Sequence, residues 1–425
     1  IPVMIMNVAT SLFNIIDMTV LKTFGGAVGA VGVCATLINL ITGVVIGVSS
    51  GSNVIIARYI GRKDSASMDR AINTAIAFSV TAGIALVIIG FIGAPILLGW
   101  TNCPGDLLKD ATLYFRLYFA GIPLLIVYNF CAAILRASGD SRRPMIFLIV
   151  GGIVKVLCNL VFTGAFHFGV KGVAFATILS WCVFTLLGLR ALTRNEGAVK
   201  LNIRNVRFHK KEMGEILHIG VPTGMQQALY SIANVIIIAE VNKLGSAATT
   251  GMSIASNLDG ILNQICVATS LAIMPYVSQN VGAGNIKRAV RSIREGIGVT
   301  VALGVFFGAL FAIFARQLSG IMSSDPEAIQ HSVDRMILIS STYFIYGINE
   351  ILAAALRSMG KPVTATVSVM IWMCVFRFVW VYFFYPLFPP SLTFLYLVWP
   401  IGWAMSCFTL LFVLIPTVKK LKKAV

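Results

Sequence analysis

Few residues in this chain carry a charge away from the ends of its apolar segments, and chemistry has to be sought among those few. Asp17 stands in IPVMIMNVATSLFNIIDMTV, where Asn7, Ser11, Asn14 and Asp17 recur at helical spacing and form one polar stripe among Met, Ile, Leu, Phe and Val. Further on, Lys155 and Asn159 are four residues apart, with Gly151 and Gly152 a turn earlier, and Thr177, Ser180 and Trp181 share a helix face. A charge at the centre of a bilayer costs roughly 2.5–3.5 kcal/mol on insertion scales, so such residues face a cavity or a partner. Asp17 therefore suits a cation or proton site, or a structural ion pair between helices. Lys155 has about a dozen residues of its segment on either side, too many for its ammonium to snorkel to the interface. It needs a carboxylate, and Asp17 is the one acid inside the spans of that half of the chain. An Asp17–Lys155 interaction is expected, with backbone carbonyls and water as the alternative partners.

The remaining intramembrane charges leave more options open. Glu240 lies beside Asn242 and Lys243 and reads either as a wetted rim residue or as a site. Asp259 either lines a site or pairs helices. Glu350 either faces a cleft or pairs with Arg377. Arg377 precedes the aromatic run Phe378, Trp380, Tyr382, Phe383, Phe384 and Tyr385, which could stack organic cations or form an interfacial belt. The methionines Met225, Met252, Met274 and Met370 suit packing or a pliable pocket. His167, His209, His218 and His331 lack metal-ligand spacing, and there is no P-loop. An enzyme, a metal site and a bound cofactor are not expected.

The elements that must position these residues are membrane spans. Only 12% of the residues are charged against 58% hydrophobic, and mean hydropathy is +0.89. A soluble domain carries about 25% charged residues. Runs of about 20 apolar residues, each able to cross a core of about 30 Å, follow one another along the whole chain. The expected fold is all-α and integral to the membrane, with twelve spans near 1–21, 27–53, 71–99, 113–135, 144–166, 172–192, 215–240, 252–278, 296–316, 333–356, 362–385 and 393–416. The net charge of +17 could suggest nucleic acid, but its distribution argues otherwise. Of the 33 Lys and Arg residues, 24 fall on one set of loops plus the tail. Lys22, Lys109, Arg116, Lys171, Lys243, Arg316 and Arg335 fall on the other side, and Lys155 and Arg377 lie within spans. By the positive-inside rule the rich side is cytoplasmic, and both termini with it. No nucleic-acid partner is expected; membrane lipid and a small organic molecule are. Seven of the eight cysteines fall in spans and only Cys103 in an outer loop, so no disulfide framework is expected. There is no signal peptide, and because the chain starts with Ile inside the first span a short preceding segment is expected.

An internal repeat organises the twelve spans. Shifting by 220 positions brings Pro2 onto Pro222, Asn7 onto Gln227, Ser11 onto Ser231 and Asn14 onto Asn234, while Asp17 meets Ile237. At a shift of 221, ARYIG (57–61) falls on SQNVG (278–282) and ILRASGD (134–140) on ALRSMGK (355–361). In the last pair Arg136 and Arg357 favour the carbonyl end of a helix, Gly139 and Gly360 suit the left-handed position after it, and prolines follow. The expected organisation is two six-helix bundles, 1–193 and 215–416, joined by a basic cytoplasmic linker, 194–214, with a basic tail, 417–425. Six spans is an even number, so both halves enter the membrane in the same direction. Their pseudo-symmetry axis then runs along the membrane normal, and a cleft between like halves is the natural substrate site.

On these residues the chain resembles the multidrug and toxic compound extrusion (MATE) family. The carriers are Pro2, Asn7, Asn14 and Asp17 in the first span, the repeated LR-x2-G at 135–139 and 356–360, Pro222 with Gln226 and Gln227, and the ending RFVWVYFFYP…YLVWPIGW. The resemblance covers essentially the whole chain. It implies a monomeric pair of six-helix bundles in the cell membrane. Their expected activity is secondary-active multidrug efflux: amphipathic, mostly cationic organic compounds leave by alternating access in exchange for protons or sodium. A flippase or exporter of lipid-linked or amphipathic metabolites on the same scaffold is the alternative, and a channel or binding protein a further one.

The family's first-half cation site falls here on Asp17, Lys155, Asn159 and Thr177, with Asn14 beside them. Lys155 and Asn159 depart from the family's Asn and Asp. An acid that some branches carry in the seventh span would lie near Tyr230 and is absent. Candidate cleft residues are Asn7, Gln226, Gln227, Tyr230, Asn234, Asp259, Glu350 and Arg377. A fixed ammonium in a sodium ligand's place would act as a resident cation for Asp17 and disfavour sodium.

Overall fold

The computed structural model describes residues 2–23, 28–100, 105–195, 199–389 and 391–423, without the side chains of several residues in the first two helices and around 99–107. Asn7, Ser11 and Asn14 are among those side chains, and Cys103 lies outside the described residues. The seven other cysteines are free thiols.

Twelve long helices follow the chain. The first half holds α1 (Pro2–Thr23), α2 (Val28–Arg62), α3 (Ser65–Trp100), α4 (Gly105–Ala137), α5 (Arg142–Ala165) and α6 (Val170–Thr193). The second holds α7 (Lys210–Asn242), α8 (Ser246–Gly282), α9 (Ile286–Ile313), α10 (Pro326–Ser358), α11 (Pro362–Leu387) and α12 (Leu392–Lys423). A short helix, Ala315–Met322, connects α9 to α10. Among the described residues ten of the twelve are long and apolar enough to cross a membrane. The two others, α1 and α7, are the pair that carries the repeated polar stripe. The chain is an all-α integral membrane protein whose two six-helix halves repeat each other.

Two compact units divide the chain, Ile1–Gly224 and Met225–Val425. Their boundary falls inside α7, beyond the linker, because the first turns of α7 pack into the first unit. In each half the fourth helix is the hub: α4 packs on α2, α3 and α6, and α10 on α8, α9 and α12. Both hubs end in continuously buried runs, Phe130–Ala137 and Asn349–Ser358. Such all-round burial needs small residues between large ones, and both runs supply consecutive alanines. The helices that face away from the hubs show apolar side chains to lipid, such as Ile84, Ile88 and Ile92 on α3 and Val299, Phe306 and Ile313 on α9.

The turns repeat as the helices do. Gly139 and Gly360 both take positive φ, 92° and 83°, and each following amide closes back onto the helix, Asp140 N–H to Leu135 and Lys361 N–H to Leu356. Lys63 and Gly284 also share a positive φ, and both pairs are 221 positions apart. Arg136 and Arg357 do sit in the last turns, but they are buried, 6% and 5% exposed, rather than held in the cytoplasmic loops. Arg335 is likewise buried, 5% exposed inside α10, with partners for its guanidinium within the unit.

The linker is docked. Val199 and Leu201 are buried, and the Leu201 amide bonds to the Leu192 carbonyl at the end of α6. The start of α7 is then tied to α2 and α3. Arg70 Nε donates to Glu212 Oε1 at 2.7 Å, the Tyr59 hydroxyl to Glu215 at 2.8 Å, and the His209 amide to the Thr74 hydroxyl at 3.1 Å. Backbones approach closely where α7 meets α2. A Cβ on Gly220 would lie 2.6 Å from the Val48 carbonyl oxygen and 2.9 Å from its Cα.

Gly220→Ala should therefore cost about 1–3 kcal/mol by overpacking. Gly214→Ala, whose Cβ meets nothing within 4 Å, should leave the Tm of the full chain unchanged or raise it; equal Tm losses would refute the close approach. Burial pushes the Glu212 carboxyl up, but the Arg70 hydrogen bond and neighbouring positive charge outweigh it and leave the group below its ordinary range. Its stabilising contribution is fully present above the ordinary carboxylate range and is lost as pH falls through the lowered value. Because Arg70 is 42% exposed, the pair is worth only on the order of 1 kcal/mol. Thermal melts from pH 7 downwards should show Glu212→Gln with lower stability at neutral pH and less of the acid-side decline.

Candidate functional site

Among the described residues of the first unit, a buried acid–base group joins α1 to α5. Gly152 has no side chain, and the space a Cβ would need is taken by the Phe13 ring of α1. That contact lets α1 lie against α5 and brings Asp17 to the face bearing Lys155 and Asn159. The Lys155 ammonium forms an ion pair with Asp17 Oδ2, with side-chain exposures of only 12% and 11%. Asn159 Nδ2 donates to the other carboxylate oxygen, Oδ1, at 2.5 Å. Asp17 thus has one oxygen on a cation and one on an amide donor. Asn159 itself is fully buried, and among the described residues its carbonyl oxygen accepts no hydrogen bond. Directly after it the helix widens into a π-helical turn, Leu160–Ala165, a feature that leaves backbone groups mispaired and often accompanies functional residues.

Thr177 is buried on α6, but its hydroxyl donates to the Val173 carbonyl at 2.8 Å and is not bonded to Asp17. Asn14 and Asn7 lie on α1 outside the described side chains. Of the five coupling candidates, then, Asp17, Lys155 and Asn159 form one bonded group.

The second unit is built on arginine. Arg377, near the middle of α11, is 1% exposed. Its Nη1 donates to Asn234 Oδ1 at 2.6 Å, and its guanidinium lies 4.7 Å from the Tyr230 ring centre and 5.3 Å from that of Trp399. Two π-helical segments, Ile371–Val375 and Trp380–Phe384, flank it. Arg335 lies over the Trp399 ring at 5.3 Å and the Tyr396 ring at 5.5 Å. It donates from Nη1 to the Met252 carbonyl and the Ser256 hydroxyl, at 3.0 and 2.7 Å, and reaches Asp259 from Nη2 at 3.1 Å.

Several readings of the sequence resolve here. Asp259 pairs helices α8 and α10. Glu350 forms no ion pair with Arg377; it is buried within electrostatic reach of Arg357, two turns along the same helix. Arg357 in turn donates to Gln226 at 3.2 Å. The aromatic run after Arg377 splits: Trp380 is buried, while Tyr382, Phe383 and Phe384 are exposed. Glu240 bonds Lys243 at 2.6 Å at an exposed rim. Gln227 is half-buried, and its backbone carbonyl accepts the Ser231 hydroxyl. Arg335, Trp399 and Tyr396 were not among the expected site residues. YLVWP at 396–400 was visible as a motif, but only tertiary structure joins it to Arg335.

Comparison with known proteins places this geometry. A MatE family model matches residues 2–161 and 222–383, one stretch in each half. The chain is 25% identical over 377 residues to the probable multidrug resistance protein YoeA of Bacillus subtilis (strain 168), covering 86% of this chain and 81% of that protein. It is 23% identical over 363 residues to a protein of Shewanella oneidensis named FAD transporter, covering 84% and 80%. Among solved structures, an outward-facing conformation of a multidrug resistance MATE family transporter of the MOP superfamily overlays with a TM-score of 0.93 at 19% identity, covering 99% of this chain and 95% of that one. With both repeats matched by the family model, the chain belongs to the MatE family of membrane transporters.

Proposed function

We propose that this protein is a secondary-active antiporter of the cell membrane that exports amphipathic, mostly cationic organic compounds in exchange for protons. The observation that carries the reading is the ammonium of Lys155 on the carboxylate of Asp17, with Asn159 on its second oxygen. A sodium ion needs several oxygen ligands. Here a covalently tethered cation already takes the charge of the one acid inside the spans of the first half, and Asn159 presents a donor to it. The ammonium repels a second cation, so sodium loses both its ligand and its field. A proton differs because it needs a single carboxylate oxygen. Protonating Asp17 breaks the ion pair, releases α1 from α5 and leaves Lys155 to find carbonyls or water. Deprotonation restores the pair.

One acid in one bundle thus links proton occupancy to the position of α1. One charge crossing about 180 mV yields roughly 4 kcal/mol, enough for nearly a thousand-fold solute gradient. In this reading the protein works as a monomer without a bound cofactor, its termini and linker on the cytoplasmic side. A second reading, export of amphipathic metabolites that carry acidic groups, is favoured by the buried arginines of the second unit. The similarity to a protein named FAD transporter fits it too.

Purified protein in liposomes should couple an imposed pH gradient to uptake of a fluorescent organic cation. Asp17→Asn should reduce that uptake by at least about ten-fold, the loss expected when an essential charge interaction is removed. Full activity in Asp17→Asn would remove Asp17 from the mechanism, and uptake driven by sodium at fixed pH and potential would sink the proton assignment. Lys155→Asn should create sodium dependence. The pair itself is open to a double-mutant cycle. Lys155→Met alone should lower stability by about 3–5 kcal/mol, because it strands a buried carboxylate. Adding Asp17→Asn should recover most of that loss; additive losses would show that the two groups do not interact.

A further inference from the structure

The buried charges of the second unit do not balance. Three arginines are buried there, Arg335, Arg357 and Arg377, against two acids, Asp259 and Glu350. Asp259 forms an ion pair with Arg335, and Glu350, in no ion pair among the described residues, lies within electrostatic reach of Arg357. Arg377, the most deeply buried of the three, has an amide and two ring faces but no carboxylate in an ion pair among the described residues of its unit. A guanidinium stays protonated wherever it is placed, so it cannot escape the cost of burial by losing its proton. Ring faces and a neutral amide offset part of that cost, and a counter-anion would offset more.

The Arg335–Asp259 contact adds a second observation. Although Nη2 and Oδ2 are 3.1 Å apart, neither oxygen of Asp259 accepts a hydrogen bond, and Nε of Arg335 is buried without a partner. The acid satisfies the arginine's charge but not its hydrogen-bonding geometry. The two guanidiniums share one indole, Trp399, whose ring centre is 5.3 Å from each. A flat aromatic surface flanked by two fixed cations, one held by a poorly bonded internal carboxylate, is complementary to an aromatic group bearing a carboxylate or phosphate.

We infer that Arg377 and Arg335, which share Trp399, form an anion-binding subsite in the second unit whose ligands are aryl carboxylates or phosphates, and that Asp259 is the internal counter-ion such a ligand displaces. This rests on the transporter reading only for access, since the cluster is closed and needs alternating access to admit a ligand. Occupancy itself requires no ion gradient. The ligand's oxygens take the Arg377 guanidinium and the free Nε of Arg335, its ring packs at the edge of Trp399 or Tyr230, whose faces the guanidiniums cover, and Asp259 is pushed off Arg335 by charge repulsion.

The test is equilibrium titration of the full chain in neutral-lipid nanodiscs with 1-naphthoate, alongside its uncharged counterpart 1-naphthamide. Naphthoate should bind saturably, and naphthamide at least about ten-fold more weakly, the difference expected for one charge-assisted hydrogen bond. Arg377→Gln should weaken naphthoate by a similar factor. Arg377→Lys keeps the charge but not the fork and should fall between. Asp259→Asn removes the competing anion and should bind naphthoate more tightly than wild type, a gain that a merely structural role for Asp259 would not produce. Absence of saturable binding, equal affinity for naphthamide, or unchanged affinity in Arg377→Gln would each overturn the subsite. A weaker or unchanged Asp259→Asn would overturn the displaced counter-ion. Proton flux in liposomes can fail or succeed separately, so loss of the coupling mechanism and loss of this subsite are distinguishable.

Discussion

An ionised side chain inside hydrocarbon has to bring its counter-charge or its hydrogen bonds with it, and this constraint arranges the interior of both halves. Asp17 could not stay in α1 unless α5 met it with an ammonium and an amide. The requirement decides which helices touch: α1 must lie on α5, so Gly152 has to give up its side chain to Phe13. Arg335 likewise draws α10 to α8, through Asp259, the Met252 carbonyl and Ser256. Arg377 ties α11 to α7 through Asn234 and Tyr230. The helices α1 and α7, which carry the repeated polar stripe, are among those held by these bonds.

Hydrophobic burial supplies the frame on which those bonds are made. The hub helices α4 and α10 end in buried runs with consecutive alanines, and their neighbours can approach closely because little side-chain volume intervenes. The fifth helix of each half is shaped differently. In α5 a π-helical turn begins directly after Asn159, and in α11 two such segments bracket Arg377. A π turn adds a residue to the helical repeat and rotates the helix beyond it. The polar residues of both helices therefore stand where the helical register changes, and a small displacement there alters which face meets the neighbouring helix.

Much of this was legible in the residues. The first half has one intramembrane acid and one base, so electrostatics alone selected Asp17–Lys155, and the four-residue spacing brought Asn159 along. The repeat was legible down to its turns, since Gly139 and Gly360 take the left-handed conformation that helix-ending chemistry requires. The second half has three buried arginines and two acids, and local spacing could not assign them. Glu350 read as facing a cleft or pairing with Arg377; it is instead buried within electrostatic reach of Arg357, two turns along the same helix. Arg335 read as an outer-side charge because it lies near the start of its span; only the packing of α8 and α12 shows that it is enclosed. Asn234 with Arg377, and Arg70 with Glu212, join positions 143 and 142 residues apart. No sequence periodicity reports contacts at that distance.

The two halves share a scaffold but hold their charges with different cations, and the difference has chemical consequences. The first half uses lysine, a compact ammonium on a flexible stem that can leave a carboxylate, hydrate or change its protonation when the surroundings change. That is what a reversible switch on Asp17 needs. The second half uses arginine, which keeps its charge throughout and presents a rigid fork that suits planar anions. A permanent cation makes a poor proton switch and a good ligand clamp. The repeat also removed the acid from the seventh span, Ile237 standing where Asp17 would fall, and that loss leaves Arg377 with an amide instead of a carboxylate. The first half thus meets its buried acid with a flexible ammonium, and the second meets Asp259 with a rigid guanidinium.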